Sequence, residues 1–251
     1  MNNKKIIVAN WKMNPSSQEE ALRLIKNILA QRLPNNIKLI IAPPFVYLDA
    51  VRKILPREIK LGGQNISFAE RGAYTGEISA LMLKNFGCEY VIIGHSERRH
   101  KMGETDEIIN LKIKIALKTG LKPILAVGEK EQGDDIKSTL SGQLTGAFEG
   151  LEAPEIGRLI IAYEPVWAIG IGLADTPDHA LSASLLIRKI IGNLYTPDWA
   201  ADLPVLYGGS VTAENAAEFV EQAGINGALV GGASLHAEEF LRIIKTSGTN
   251  D

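Results

Sequence analysis

Apolar positions along this chain follow two rhythms. Short runs rich in β-branched residues recur from one end to the other, at 5–9, 38–42, 59–63, 90–93, 123–127, 159–163, 204–207 and 228–230. Several are unbroken rather than alternating, the pattern of strands buried on both faces. Between them lie longer segments of helical period. The clearest, 18–30, places Ala21, Leu22, Ile25, Ile28 and Leu29 on one stripe, and 107–117, 180–194, 214–222 and 238–244 behave alike. Helix starts are marked by Ser16 or Ser17, by Thr176-Pro177-Asp178, and by Thr212 with Asn215. About ten residues separate the second and third strands, so any helix there is brief.

Alternation of strand and helix throughout predicts a parallel sheet under helical cover. Eight cycles in 251 residues average about 31 residues each, the size of a βα unit. That count at that length predicts a closed (β/α)8 barrel in a single domain spanning 1–251, whereas a doubly wound sheet usually has fewer strands. No shift of composition divides the chain.

Composition changes this picture little. The chain is 22% charged and 45% hydrophobic, an ordinary globular balance. A net charge of -2 gives no global field to attract nucleic acid or an anionic membrane, so neither is expected as a partner. No stretch reaches the roughly 18 apolar residues of a membrane span, and the apolar run at 6–9 is too short for a signal sequence. The lone cysteine, Cys88, sits among apolar neighbours and reads as a buried thiol; a cytoplasmic location is expected. The basic run Arg98-Arg99-His100-Lys101 reads by itself as a solvated helix face.

The barrel tells where chemistry belongs, because active groups gather where strands end and βα loops begin. After the first strand come Asn10 and Lys12; each has a plain reading, as a turn residue and as a surface lysine. After the fourth come Gly94, His95 and Ser96. A helix opening at Ser96 would disfavour imidazolium and keep His95 a neutral hydrogen-bond donor. The sixth delivers Glu164, a carboxylate behind an apolar run, which is costly unless solvated, paired with a lysine or used. An apolar loop with two glycines follows at about 165–175 and reads as a lid that excludes water above Glu164. The last two strands end in Gly208-Gly209-Ser210 and Gly231-Gly232, paired glycines whose amides suit a phosphate at the recurrent phosphate position of such barrels. The four histidines and one cysteine show no metal-ligand spacing, no acidic triplet stands at the strand ends and no dinucleotide fingerprint is present, so no metal and no cofactor is expected.

These residues resemble the triosephosphate isomerase family along the whole chain. The motifs stand in family order as Ala9-Asn10-Trp11-Lys12-Met13-Asn14, Gly62-Gly63-Gln64-Asn65, Gly94-His95-Ser96-Glu97-Arg98-Arg99, Ala162-Tyr163-Glu164-Pro165-Val166-Trp167, Tyr207-Gly208-Gly209-Ser210-Val211 and Gly231-Gly232-Ala233-Ser234-Leu235. The resemblance implies a TIM barrel isomerase acting on triose phosphates, with Glu164 as base, His95 polarising the carbonyl and Lys12 stabilising the enediolate. It further implies Asn10, Lys12, Gly170, Ser210, Gly231 and Gly232 as substrate-binding residues, and a homodimer in which the loop at about 65–79, through Thr75, docks on a second subunit. Glu97 matches the family too, and a role in positioning Lys12 is favoured. The chain departs from the family at Ile171, Leu173, Ala174 and Asp175 of the lid and at Ala126, where the family often has cysteine. Another phosphate-binding barrel would call for metal ligands or a second acidic base; a non-catalytic relative would be expected to lack Lys12, His95 or Glu164.

Overall fold

The structure, a computed structural model, describes residues 4–169 and 175–248. The apolar runs fold as β1 (Lys5–Asn10), β2 (Ile37–Ala42), β3 (Lys60–Gly63), β4 (Tyr90–Ile93), β5 (Lys122–Val127), β6 (Ile160–Tyr163), β7 (Val205–Tyr207) and β8 (Gly227–Val230). They close into a barrel in chain order, every neighbouring pair parallel, with β8 returning to β1 where Ile6 faces Gly227. The helices are α1 (Gln18–Leu29), α2 (Leu48–Ile54), α3 (Ala80–Asn85), α4 (Ser96–Lys101), α5 (Asp106–Lys118), α6 (Ile136–Phe148), α7 (Ala153–Ile156), α8 (Pro177–Leu194), α9 (Pro197–Asp202), α10 (Ala216–Val220) and α11 (Ala237–Ser247). The expected closed (β/α)8 architecture is what forms, including the brief helix between β2 and β3.

Caps explain most boundaries. The Ser17 hydroxyl accepts the Glu20 amide to start α1, and Thr176 accepts the His179 amide ahead of Pro177 to start α8. The seventh-unit helix is shorter than its pattern predicts, five residues from Ala216. Asn215 explains this: its side chain accepts from the Thr212 amide and donates to the Ser210 carbonyl, closing a turn where a helix would otherwise begin. So a turn rather than a helix follows Gly208-Gly209-Ser210. A 3-10 turn at Gly232–Leu235 does directly follow the second pair.

Strand alternation splits the core into two layers. Ile6, Val8, Ile40, Ala42, Tyr90, Ile92, Ile124, Ala126, Ile160, Ala162, Leu206 and Leu229 fill the barrel interior, while the intervening residues pack outward against the helices. Continuing the inward parity reaches Asn10 at the end of β1 and, one step past β5, β6, β7 and β8, Gly128, Glu164, Gly208 and Gly231. The alternation that builds the core therefore also delivers these residues to the barrel mouth.

Cys88, between α3 and β4, is buried, and burial pushes its thiol up to about 12 despite nearby Lys84. Only the thiolate is nucleophilic, so native Cys88 should resist iodoacetamide at about pH 8 and react once urea unfolds the chain. Native and unfolded rates within about threefold of each other would contradict its burial.

Candidate functional site

Glu164 is 2% exposed, and both carboxylate oxygens are held. Oε2 accepts the Ser96 backbone amide at 2.8 Å, and Oε1 lies 3.1 Å from His95 Nε2. An ionised carboxylate so buried needs strong partners, and an amide at a helix N-terminus is one. Among the described residues no lysine pairs with it, so the plain salt-bridge reading of Glu164 does not describe this structure. Space for the residue comes from glycines just past both neighbouring strands. A Cβ on Gly128 would sit 1.8 Å from the Glu164 carbonyl oxygen, and one on Gly208 would sit 2.9 Å from Glu164 Cγ.

His95 caps α4 with its ring: Nδ1 accepts the Glu97 amide at 3.2 Å. A nitrogen that accepts carries no proton, so the imidazole is neutral with its hydrogen on Nε2, directed at Glu164.

Lys12 has φ 53, a left-handed conformation for a residue with a side chain, at a cost of about 1–2 kcal/mol. Asn10 offsets part of it, its Oδ1 accepting the Lys12 amide at 3.0 Å. The conformation turns the ammonium toward the mouth, where Nζ pairs with Glu97 Oε1 at 2.9 Å. Burial raises the Glu97 carboxyl, but the Lys12 hydrogen bond and charge outweigh it and hold it below the usual range. Glu97 thus contacts Lys12 by side chain and His95 by backbone, as a positioning role requires.

A 270 Å³ cavity brings together Asn10, Lys12, His95, Glu164, Gly208, Gly209, Ser210, Gly231 and Gly232. Gly231 leaves room for Lys12, since a Cβ there would stand 3.2 Å from Lys12 Cε. Its carbonyl is pinned by the Ser234 hydroxyl at 2.6 Å. Gly170, also expected at this site, lies outside the described residues, as do positions 171–174 of the expected lid. The described entrance to that loop is anchored: the Glu129 carboxylate accepts from the Tyr163 hydroxyl at 2.9 Å and the Trp167 indole at 2.6 Å. At its described exit, the Asp175 carboxylate pairs with His179 Nδ1 at 2.8 Å.

Three contributions escaped the sequence pattern. The Ser96 amide is a backbone group and has no side-chain signature. Glu129 stands two residues past β5, so a search for polar residues at every strand end would have found it. The basic run is not a solvated face throughout: His100 and Lys101 are exposed, but Arg98 reaches Glu104 at 2.5 Å and Arg99 turns inward. Among the described residues, no group of three or more His, Cys, Asp or Glu is placed to hold a metal ion.

Comparison with known proteins gives the same direction. The family model described as Triosephosphate isomerase matches residues 5–247. A protein of Alkaliphilus oremlandii named triosephosphate isomerase is 46% identical over 245 residues, covering 96% of this chain and 98% of its own. One of the same name from Dehalococcoides mccartyi is 48% identical over 96% of this chain and 95% of its own. A third, from Dictyoglomus thermophilum, is 44% identical over 97% and 99%.

The packing around Glu164 yields a direct test. Gly128 cannot shift freely, because Gln143 donates to its carbonyl at 3.0 Å and accepts its amide at 2.8 Å. Gly128→Ala should therefore lose about 1–3 kcal/mol in urea melts, the usual scale of overpacking. Unchanged stability would mean that the Glu164 backbone yields without cost.

Proposed function

The chain belongs to the triosephosphate isomerase family, and from that premise we propose that the barrel-mouth cavity is its active site, with Glu164, His95 and Lys12 as catalytic residues. The enzyme is an isomerase that interconverts dihydroxyacetone phosphate and D-glyceraldehyde 3-phosphate, a step of glycolysis and gluconeogenesis. The observation that carries the site assignment is the convergence of a buried carboxylate, a neutral imidazole and an ammonium on one 270 Å³ cavity.

The chemistry follows from those groups. A proton on carbon beside a carbonyl is weakly acidic, so the enediolate must be stabilised as it forms. His95 Nε2–H and Lys12 Nζ supply a donor and a charge at the oxygens where negative charge develops. When substrate takes the His95 hydrogen bond from Glu164, a carboxylate oxygen is released to act as the base that carries the proton between C1 and C2. Asn10 holds substrate beside Lys12, while the amides around Gly170, Ser210, Gly231 and Gly232 grip the phosphate. Phosphate binding away from the reacting carbons supplies energy that can favour a closed site. The loop at about 165–175 acts as the lid that excludes water and hinders loss of phosphate from the enediolate. Its anchored entrance at Glu129 supports this. No cofactor is required by these steps.

The same reading makes the enzyme a homodimer. Beside Lys12, His95 and Glu97 lies a second cavity of 360 Å³, lined by Met13, Phe45, Gln64, Asn65 and Met102 among others. Of its lining residues Met13 is 94% exposed and Met102 is exposed, as are Val46 and Met82, the chain neighbours of lining residues Phe45 and Leu83. Such an apolar rim suits the 65–79 loop of a second copy, with Thr75 steadying the neighbouring site near Lys12. Among the described residues no helix is long and apolar enough to cross a membrane. The lone buried thiol fits a reducing cytoplasm.

A coupled assay of glyceraldehyde 3-phosphate conversion without added metal tests the catalytic reading. Activity should persist in chelator, and Glu164→Ala should lower kcat by about 10²–10⁴-fold. Retention of more than about a tenth of the parental rate would overturn the role of Glu164. Light scattering at micromolar concentration should give twice the 27.2 kDa chain mass, and a one-chain mass would overturn the dimer.

A further inference from the structure

The steps above leave unused a buried cation directly beneath His95. Arg99 sits in the run whose pattern predicts a solvated face, yet its side chain is 10% exposed. Its guanidinium is engaged on three sides. Nε donates to the Gly94 carbonyl at 2.8 Å, Nη2 to the Ala126 carbonyl at 3.3 Å, and Nη1 to Asp106 Oδ1 at 2.5 Å. Two of these acceptors are backbone carbonyls at the exits of the neighbouring strands β4 and β5. The third is the first residue of α5.

The Gly94 contact matters because of what a peptide bond is. The Gly94 carbonyl and the His95 nitrogen lie in one rigid plane, so fixing the direction of the carbonyl fixes the plane from which His95 departs. Gly94 has φ +72, left-handed, and glycine lacks the Cβ that would confine the torsion in another residue. The most permissive joint of the β4–α4 passage therefore stands immediately before His95. The guanidinium supplies the missing restraint: a Cβ on Gly94 would meet Arg99 Nη2 at 3.1 Å, Ala126 O at 3.2 Å and Ile109 Cδ1 at 3.2 Å.

His95 has little tolerance for rotation there. Its Nδ1 accepts the Glu97 amide at 3.2 Å, the long end of a normal hydrogen bond, while Nε2 must stay aimed into the cavity. A modest swing of the 94–95 peptide would lose the amide contact, and with it the restriction to the Nε2–H tautomer. Simple stabilisation explains the arrangement less well. A buried ion pair with Asp106 is weak evidence for stability, and it would not require the planar fork to span two carbonyls on different strands.

We propose that Arg99 is a positioning residue for the isomerisation, which acts through the Gly94 carbonyl to set the peptide plane that carries His95. The proposal rests on the reading of His95 as the group that polarises the substrate carbonyl.

Three variants of the full-length enzyme test it, with kcat, KM, the 15N signals of the His95 imidazole and the thermal midpoint measured for each. Arg99→Lys keeps charge without the fork, Arg99→Met removes both, and Asp106→Asn keeps the fork and its carbonyl bonds. Both Arg99 variants should lose roughly ten- to hundredfold in kcat with KM within about threefold, the scale expected when a reacting group is misaimed. Their His95 Nδ1 signal should move from that of a fixed acceptor toward a tautomer average. Asp106→Asn should lose less than about threefold in kcat even where its thermal midpoint falls as far. Folded Arg99→Met with kcat within about twofold of the parent would overturn the proposal, as would equal losses in Arg99→Met and Asp106→Asn that track thermal stability. His95→Gln separates the two levels. If it stays active, the reading of His95 fails; if it is impaired while Arg99→Met is not, only the positioning role of Arg99 fails.

Discussion

The buried carboxylate of Glu164 is the constraint around which the rest of this barrel is arranged. Placing a charge at 2% exposure on the end of an apolar strand is unfavourable unless every oxygen finds a partner. Two partners are built in, and both come from the exit of β4, two strands away around the barrel: the Ser96 amide and the His95 ring. Their supply requires β4 to end in a sharp turn and a helix to begin at once, which is what Gly94 and α4 accomplish. Seating the residue in turn requires glycine at 128 and 208, just past the flanking strands: a Cβ on Gly128 would strike the Glu164 backbone carbonyl, and one on Gly208 its Cγ. One residue thus calls for glycines beside two other strands and a helix start after a third.

The positive side of the site is organised differently. Lys12 is held by a strained backbone, an asparagine and an ion pair with Glu97. An ammonium on a flexible stem would otherwise sample many positions, and charge that must reorganise during reaction stabilises a transition state poorly. Glu97 meets both Lys12 and His95, so the cation and the neutral donor are fixed relative to one another through a single residue. The overall charge of -2 says nothing of this, because an anionic substrate responds to the local array of Lys12 and backbone amides rather than to the total.

How much of this was legible in the sequence depends on the length scale of the signal. All eight strands announce themselves, since a buried parallel strand reads as an apolar run and burial does not depend on loop detail. The positions of Asn10, Glu164 and the glycine pairs follow as well, because strand parity carries the inward face one residue beyond each run. What escapes is whatever depends on backbone direction or on a side chain reaching across the sequence. The Ser96 amide has no letter of its own. The α10 start is displaced by an Asn215 that satisfies two backbone groups at once, where composition sees only a cap. Arg99 misleads most, since a run of four basic residues looks solvated until the acceptors at Gly94, Ala126 and Asp106 are brought beneath it by the fold.

A common device then becomes visible in the way the site is held. Lys12 N reaches Asn10, Glu97 N reaches His95, and Ser96 N reaches Glu164; in each case a backbone amide at a strand exit fixes a side chain. Amides are the least mobile donors a protein has, because the rigid peptide plane leaves them no rotamers to lose. Their orientation is settled by the fold before any substrate arrives, so the ordering cost falls on folding rather than on catalysis. The barrel can carry that cost because its two apolar layers are extensive, and a left-handed lysine at about 1–2 kcal/mol is small beside them. The weakness of the device is that it makes each side chain only as well aimed as the peptide beneath it. That is why residues remote from the substrate, such as a glycine at 128 or a guanidinium under Gly94, belong to the logic of the site as much as the groups that face the cavity.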